Sequence, residues 1–138
     1  MGSKDSEFLL AKITVSDLDR SLDFYTRLVG LSRAGGGPPR EIDKSARFTE
    51  IPLNFSGSLA DPFLVIIKEQ GLTPTRETAK LTWVGLKVPD VRAAVDRLRA
   101  AGYQVRSEPS DQRPGNAFGM VYDPDGYVVE FIQAPVAR

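Results

Sequence analysis

Glu130 is the residue of this sequence whose type and surroundings most directly indicate chemistry. It interrupts an apolar run formed by Val128, Val129, Phe131 and Ile132. If this run is a strand, alternation puts Glu130 on a mixed face with Val128 and Ile132, and leaves Val129 and Phe131 on an apolar face. A carboxylate in such a run is costly unless it is exposed, paired or used. The sequence contains no His and no Cys, which removes the commonest general base, thiolate nucleophiles and zinc–thiolate sites. Any acid–base chemistry must therefore use carboxylates, Tyr or Lys.

Two other motifs resemble ion-binding or phosphate-binding sequences, but a turn and a loop are the favoured interpretations. Asp123-Pro-Asp-Gly126 has the spacing that begins a calcium loop, but the ligands required later in such a loop are missing. Pro and Gly at these positions indicate a turn, so a hairpin is predicted. The glycines of residues 35–39 resemble a phosphate cradle, but no Lys-Ser/Thr and no helix follows them. That segment is predicted to be a loop.

Composition narrows the classes of partner. The chain has 138 residues and balanced charge, with 18 basic and 18 acidic side chains, so nothing indicates nucleic acid or an anionic membrane. No apolar run approaches the roughly 20 residues that span a bilayer. Nothing resembles a secretory signal, so we expect a cytoplasmic protein. Residues 1–6 fit a short myristoylation pattern, but a polar start or an expression remnant is the favoured interpretation.

Hydrophobic periodicity and turn residues predict the elements that position these side chains. For the first half they are a strand at 8–15, a helix that Ser16 or Asp17 caps and Gly30 ends, a loop at 33–44, a strand at 45–53, a loop at 54–62, a strand at 63–67 and a linker at 71–80. For the second half they are a strand at 81–88, a helix that Asp90 caps and Gly102 ends, a strand at 103–106, a loop at 107–114, a strand at 116–122 and a last strand to Gln133.

The two halves repeat one another. Residues 13–18 match residues 86–91 at an offset of 73: each strand ends in Val, an Asp follows two residues later, and an amphipathic helix begins. Neither half could easily close a core alone. We therefore predict an α+β fold of two β-α-β-β-β modules that form a curved mixed sheet with helices on its outer face. One domain is expected over 1–138, with modules at about 8–70 and 81–134.

These motifs resemble a known family. The segment from Lys12 to Tyr25, the Leu28-Val-Gly-Leu31 sequence, the helix at 91–102 and Asp123-Pro-Asp-Gly-Tyr-Val-Val-Glu130 are similar to the vicinal oxygen chelate superfamily. That superfamily includes glyoxalase I, bleomycin-resistance proteins and extradiol dioxygenases. The resemblance covers nearly the whole chain and implies the fold described above.

The resemblance also implies where a metal site would lie. Metal-using members carry one ligand on the first strand of each module and one on the last. Counting five residues back from Val15 and from Val88 gives Leu10 and Trp83, the first module's last strand gives Ile66 or Ile67, and the fourth position is Glu130. One carboxylate cannot satisfy a divalent ion. We therefore predict no metal and no other cofactor, and an apolar pocket around Glu130.

Two functions are compatible with such a pocket. In the first, the protein is a metal-independent lyase or isomerase with Glu130 as general acid or base. Lys12, Tyr122, Arg47 or Arg113 could then stabilise an enolate or a carboxylate of the substrate. In the second, the protein binds a hydrophobic or aromatic compound without turnover, and Trp83 stacks on it.

Simpler roles stay open for both residues: Trp83 in the core, and Glu130 paired with Lys12 or Lys87. Glu50 is a further carboxylate whose facing the sequence does not fix. The family resemblance implies a homodimer, with a small molecule as the other partner.

Overall fold

The computed structural model describes residues 4–36, 40–43, 47–113 and 116–133, with the backbone alone at 40–43 and 112–113. The chain divides into two compact units, Met1–Thr73 and Pro74–Arg138. Each unit is described by itself below. Residues 1–3, which contain half of the short myristoylation-like pattern, lie outside the described residues.

The first unit is a mixed sheet with one helical stretch. Its elements are β1 (Leu10–Thr14), α1 (Leu18–Asp23), a π-helical segment (Phe24–Leu28), β2 (Ser32–Arg33), β3 (Arg40–Asp43), β4 (Phe48–Asn54) and β5 (Phe63–Glu69). The strand order is β1-β5-β4-β2, and β3 also pairs with β4. The β1–β5 pair is parallel, and the pairs that β4 makes are antiparallel.

The helix of the first unit covers one face of this sheet. It begins at Asp17, whose Oδ1 accepts a hydrogen bond from the backbone N–H of Arg20 at 3.0 Å, as a helix N-cap does. The α1 helix packs against β5. Side chains from three adjacent strands, Ile13, Ile66 and Ile51, are in register and fully buried. They form the apolar side of the sheet.

The second unit repeats this arrangement with a longer helix. Its elements are α2 (Arg76–Ala79), β6 (Trp83–Lys87), α3 (Val91–Ala100), β7 (Val105–Arg113), β8 (Asn116–Tyr122) and β9 (Val128–Gln133). The strand order is β6-β9-β8-β7, with β6 and β9 parallel and the other pairs antiparallel. The path β6-β9-β8 thus matches β1-β5-β4 in order and direction, as the sequence repeat predicts.

Helix α3 packs against one face of the second sheet. Asp90 caps it by accepting a hydrogen bond from Ala93 N–H at 3.0 Å, and the side chain of Gln133 accepts one from Val91 N–H at 3.1 Å. A Cβ on Gly119 in β8 would lie 2.9 Å from a methyl carbon of Val95. The missing side chain of Gly119 therefore lets the helix approach the strand closely.

The α+β fold class is confirmed, and three local predictions are wrong. The predicted loop at 107–114 is a strand to Arg113, because polar residues are tolerated on β7, which pairs on one side only within the sheet. The predicted loop at 33–44 contains part of β2 and all of β3. The predicted linker at 71–80 contains α2, which a Thr75–Thr78 capping box begins.

That residues 1–138 form one domain stays a prediction.

No helix within the described ranges is both long and apolar enough to cross a membrane.

Candidate functional site

Glu130 lies in the middle of β9 and is half-buried. Its register partners are Gly85 on β6 and Met120 on β8. Its chain neighbours Val129 and Phe131 are buried, and alternation along the strand puts them on the opposite face, which α3 covers. The predicted sorting of this strand into an apolar face and a mixed face is therefore confirmed.

The mixed face of the second sheet, which we call the Glu130 face, carries two more of the predicted site residues. Trp83 begins β6 and pairs with Val128, and Tyr122 ends β8 and pairs with the same Val128. The Trp83 side chain is 50% exposed, so it is not a core residue of the described structure. Trp83, Tyr122 and Glu130 are thus brought to one face of one sheet.

Arg106 is a residue of the Glu130 face that the sequence interpretation missed. Its guanidinium carbon lies 4.5 Å from the centroid of the Trp83 ring, a cation–π arrangement. Its Nη1 is 3.6 Å from the sulfur of Met120. Because Trp83 is on β6 and Arg106 is on β7, their side chains meet over the strands that lie between β6 and β7.

The corresponding face of the first sheet holds an ion pair. The Lys12 ammonium on β1 donates a hydrogen bond to the Glu50 carboxylate on β4, and β5 lies between these two strands. The side chain of Glu50 is 10% exposed and that of Lys12 is 44% exposed. Glu50 therefore takes one of the two partners, Lys12 and Lys87, that were expected for Glu130. Leu10, at the start of β1, alternates onto the same face as Lys12.

The strand register corrects one predicted site position. At the offset of 73, Lys12 corresponds to Gly85, and Gly85 pairs with Glu130. In the first sheet Lys12 pairs with Val65, so Val65 is the counterpart of Glu130. Ile66 points to the opposite, helix-covered face and is fully buried, because side chains alternate along a strand. Ile67, the alternative position, lies two residues beyond Val65.

The two remaining predicted residues lie in the first unit and at the end of β7. Arg47 is exposed in the turn before β4, with a φ of 60°, and its carbonyl accepts a hydrogen bond from Gln70 N–H at 2.7 Å. It belongs to the first unit. Arg113 ends β7, where its backbone pairs with Asn116, and its side chain lies outside the described residues. A single pocket built from residues of both units stays a prediction.

The Asp123 turn is a hairpin connection whose carboxylate is already occupied. Its Oδ1 accepts hydrogen bonds from the backbone N–H groups of Asp125, Gly126 and Tyr127 at 2.8, 2.9 and 2.9 Å. Asp123 N–H in turn donates to the Tyr127 carbonyl, and Gly126 supplies the positive φ of 99°. This oxygen works as a turn acceptor, as the hairpin interpretation predicts.

The residues present do not fit a metal centre. The superfamily resemblance implies ligand positions at Leu10, Trp83 and Glu130, and the strand register gives Val65 as the fourth. Only Glu130 offers a charged oxygen donor, whereas hard cations take about six oxygens. Within the described residues, no group of three or more Asp or Glu side chains is placed to hold a metal ion, and the sequence contains no His or Cys.

Comparison with known proteins agrees with this architecture. The profile of the Glyoxalase/Bleomycin resistance protein/Dioxygenase superfamily matches residues 8–131. A probable lactoylglutathione lyase of Vibrio cholerae is 28% identical over 122 residues, which cover 88% of this chain and 86% of that protein.

Two solved structures are similar in fold. Glyoxalase I from Zea mays has a TM-score of 0.74 and 22% identity, over 93% of this chain and 45% of that one, so this chain spans about half of the maize enzyme. An antibiotic-binding protein from a Streptomyces species has a TM-score of 0.70 and 24% identity, over 97% and 99% of the two chains. The family match extends over most of the sequence, and the chain belongs to the glyoxalase/bleomycin resistance protein/dioxygenase superfamily, the vicinal oxygen chelate superfamily that its motifs resemble.

Proposed function

We propose that this protein is a metal-independent lyase or isomerase for a small organic substrate, with Glu130 as its general acid or base. One observation carries the proposal. Within the described part of the chain, no hydrogen bond or ion pair joins the Glu130 carboxylate to another residue, and the register partners of Glu130 are Gly85 and Met120. Neither of these side chains is a cation, so the carboxylate is available to exchange a proton with a bound molecule.

The surrounding charges support the same role. Lys12, one of the two structural partners expected for Glu130, is paired with Glu50, and no ion pair joins the other, Lys87, to a carboxylate within the described residues. Arg106 lies on the Trp83 ring. A half-buried carboxylate that is not tied into an ion pair has little structural value, because burial costs it solvation without a compensating bond. Exchange of a proton with a bound ligand is a role that such a carboxylate can perform.

The step that we propose is a proton transfer at carbon. A Glu130 oxygen takes a proton from a carbon atom next to a carbonyl group, and the electron pair of the broken C–H bond moves onto the carbonyl oxygen as an enolate. In an isomerisation of an α-hydroxycarbonyl compound, the hydroxyl proton moves to the enolate oxygen, Glu130 returns its proton to the former carbonyl carbon, and the carbon that carried the hydroxyl becomes the new carbonyl. In an elimination, the enolate electrons re-form the carbonyl and a C=C bond as the bond to the β leaving group breaks, and Glu130 gives its proton to that group. In this proposal Tyr122, on the same face, donates a hydrogen bond to the enolate oxygen.

The absence of suitable ligands supports metal independence. Leu10, Val65 and Trp83 cannot supply the oxygens or nitrogens that a divalent ion needs beside Glu130. The Vibrio cholerae relative is named a lyase, which supports the reaction class but says nothing about how this chain stabilises an enolate. Elemental analysis of protein purified without chelators tests this part. Stoichiometric zinc, nickel or iron contradicts it.

The catalytic role is tested with Glu130→Gln, which keeps the size of the side chain and removes the base. We first identify ligands by a thermal-shift screen of carbonyl compounds, since a bound ligand stabilises the folded state by mass action. We then follow exchange of the carbon-bound proton in deuterated water. Turnover should fall by about a hundredfold or more, the scale of general acid–base catalysis, and Glu77→Gln on the exposed α2 helix should retain it. Undiminished turnover in Glu130→Gln contradicts the role.

A second function, ligand binding without turnover, is favoured by the exposed Trp83 ring. A Trp side chain at a concave site offers a large stacking surface to an aromatic compound. The Streptomyces neighbour, described as an antibiotic-binding protein, supports this alternative through its fold. Tight binding together with no proton exchange for any ligand found in the screen would favour the binding protein over the enzyme.

We also propose that the chain forms a homodimer, as its family resemblance implies. Exposed apolar side chains next to two edge strands support this: Phe8 precedes β1, and Leu81 precedes β6. Light scattering coupled to size-exclusion chromatography measures the mass. A monomer at the concentrations used for activity contradicts this proposal without affecting the role of Glu130.

A further inference from the structure

We infer that the ligand of the Glu130 face carries an anionic group, of the carboxylate type, which the guanidinium of Arg106 binds. The inference rests on the proposed function only in taking this face of the second sheet as the ligand-binding face. It adds a residue that specifies the charge of the ligand, and it holds equally for an enzyme and for a binding protein.

A β-bulge directs Arg106 over this face. Val105 pairs with Val121 and Ser107 pairs with Met120, so two steps along β7 match one step along β8. Arg106 is the extra residue between these pairs. Bulges re-aim a side chain and are over-represented next to active sites. Here the bulge releases Arg106 from regular alternation, and its side chain extends toward Trp83 rather than away from the sheet.

The contacts of Arg106 hold its guanidinium and leave donors for a ligand. The guanidinium carbon lies over the Trp83 ring, 4.5 Å from its centroid. One Nη1 contact reaches the Met120 sulfur at 3.6 Å, and thioether sulfur is a weak acceptor. A guanidinium has five N–H donors in a fixed fork that matches a carboxylate. Within the part of the chain that the structure describes, most of these donors are therefore free to bind an anion while the ring keeps the group in place.

The charge of Arg106 is not compensated by a protein carboxylate. Within the described ranges, no Asp or Glu oxygen lies within ion-pair distance of it, whereas Arg27, Arg92 and Arg99 each have such a partner. On the first sheet the cation Lys12 is neutralised by Glu50. A positioned, uncompensated guanidinium on the ligand-binding face favours an anionic ligand.

The strand beside Glu130 leaves space for that ligand. A Cβ added to Gly85 would meet only one side-chain atom, a methyl carbon of Ile132 at 3.9 Å. The surface beside the carboxylate is therefore open, and it lies on the same face as Trp83 and Arg106. A molecule whose carboxylate binds Arg106 can extend toward Glu130 over Gly85. In the enzyme, this would place its reacting carbon near the base.

The test uses the fluorescence of Trp83, because the sequence contains a single Trp. Iodide is an anionic quencher and acrylamide is a neutral one. We expect Arg106→Gln to lower iodide quenching relative to acrylamide quenching, because the cation beside the ring is removed. Arg97→Gln, on the exposed side of α3, is the matched control and should leave the ratio unchanged. An unchanged ratio in Arg106→Gln contradicts the arrangement.

Anion preference is measured with benzoate and its neutral isostere benzamide, titrated into the full chain. Benzoate should bind at least about fivefold more tightly than benzamide, on the scale of one charge-assisted contact. The preference should vanish in Arg106→Gln and be partly kept in Arg106→Lys, which retains charge but not the planar fork. Equal affinities, a preference that survives in Arg106→Gln, or no binding of either probe would overturn the inference.

Glu130→Gln separates this inference from the proposed reaction. Removing a negative charge from the same face should leave benzoate affinity unchanged or raise it, while turnover is lost. If turnover survives in Glu130→Gln but benzoate preference depends on Arg106, the reaction proposal fails and the anion site stands. If benzoate preference is absent but Glu130→Gln abolishes turnover, the anion site fails and the reaction proposal stands. Circular dichroism of each variant confirms that it is folded.

Discussion

Lys12 and Glu50 form an ion pair across the width of one strand: Lys12 is on β1, Glu50 is on β4, and β5 lies between them. The Glu50 carboxylate is nearly buried, while the Lys12 side chain is close to half exposed. The pair puts one positive and one negative side chain next to each other on the mixed face of the first sheet. It also means that the two carboxylates on mixed faces differ: Glu50 has a cationic partner, and Glu130 has Gly85 and Met120 beside it.

Removing Lys12 should destabilise the protein more than removing the charge of Glu50. Lys12→Ala leaves a nearly buried carboxylate without its cation, so we expect the free energy of unfolding to fall by about 1 to 3 kcal/mol. Glu50→Gln leaves the charge on the more exposed Lys12, which water can solvate, and should cost less. Urea unfolding measures both, and a smaller loss for Lys12→Ala than for Glu50→Gln contradicts this account.

The matched control is the double variant Lys12→Met, Glu50→Leu. Replacing both partners by apolar side chains removes the unpaired charge, and such replacements are often neutral or stabilising. The double variant should therefore be more stable than Lys12→Ala alone.

The Asp123 carboxylate should contribute strongly to the free energy of unfolding, although it lies in a turn. One oxygen accepts three backbone N–H groups, and Asp123 is almost fully buried. We expect Asp123→Ala to lower the free energy of unfolding by about 2 to 4 kcal/mol, because buried donors lose their acceptor. Asp123→Asn keeps an oxygen at this position and should cost less. Thermal unfolding with and without Ca²⁺ provides the measurement, and stabilisation by Ca²⁺ contradicts the hairpin interpretation.

The part of the fold that follows from local patterns was predictable from the sequence. The offset of 73 predicted two repeated modules, and alternation put Glu130 on one face of β9 with Val129 and Phe131 on the other. Asp17 and Asp90 cap the helices that were expected after them. These features depend on side chains within a few residues of each other, which hydrophobic period and cap chemistry describe.

The site residues that were missed depend on non-local geometry. The run at 63–67 is apolar throughout, so no polar residue marks its facing, and only the hydrogen-bonded register shows that Val65 rather than Ile66 corresponds to Glu130. Arg106 reaches the Glu130 face through a bulge, which alternation along the sequence does not reveal. The partner of Lys12 is two strands away and becomes visible only with the strand order.

The Asp23 carboxyl should titrate differently when its helix partner is removed. Arg27 donates hydrogen bonds from Nε and Nη2 at 2.7 and 2.8 Å, and these hold the pKa of Asp23 below its ordinary value. A lowered pKa in the folded state adds stability above the unfolded pKa, and that stability is lost as pH falls through the folded pKa. In Arg27→Gln we expect the pKa of Asp23 to rise toward its ordinary value, as followed by NMR titration.

Glu77 is the internal control for that titration. A hydrogen bond from Lys80 lowers the pKa of Glu77, and Arg27→Gln should leave it unchanged. A rise in both pKa values would indicate a general change in the protein rather than loss of the Arg27 contact.

Substitution by Ala should lower the stability of the protein at one glycine of the second sheet and not at another. A Cβ at Gly119 would lie 2.9 Å from Val95 and 3.3 Å from Val91 on α3, so Gly119→Ala overpacks this contact and should cost about 1 to 3 kcal/mol. A Cβ at Gly85 has its nearest atom at 3.9 Å. Gly85→Ala should leave stability unchanged or raise it slightly, because glycine weakens a strand interior. Urea unfolding compares the two variants.

Compensation shows whether the Gly119 loss comes from the helix contact. Val95→Ala removes the methyl carbon nearest to the new Cβ, so adding it to Gly119→Ala should cost less than Val95→Ala costs in the native chain. If the two losses simply add, the helix contact does not explain the effect of Gly119→Ala.

Gly85→Ala should also change ligand binding, because the added methyl group narrows the open surface beside Glu130. Gly85→Ala should weaken benzoate binding while the protein stays fully folded. Such a result would indicate that the missing side chain at Gly85 serves ligand binding rather than stability.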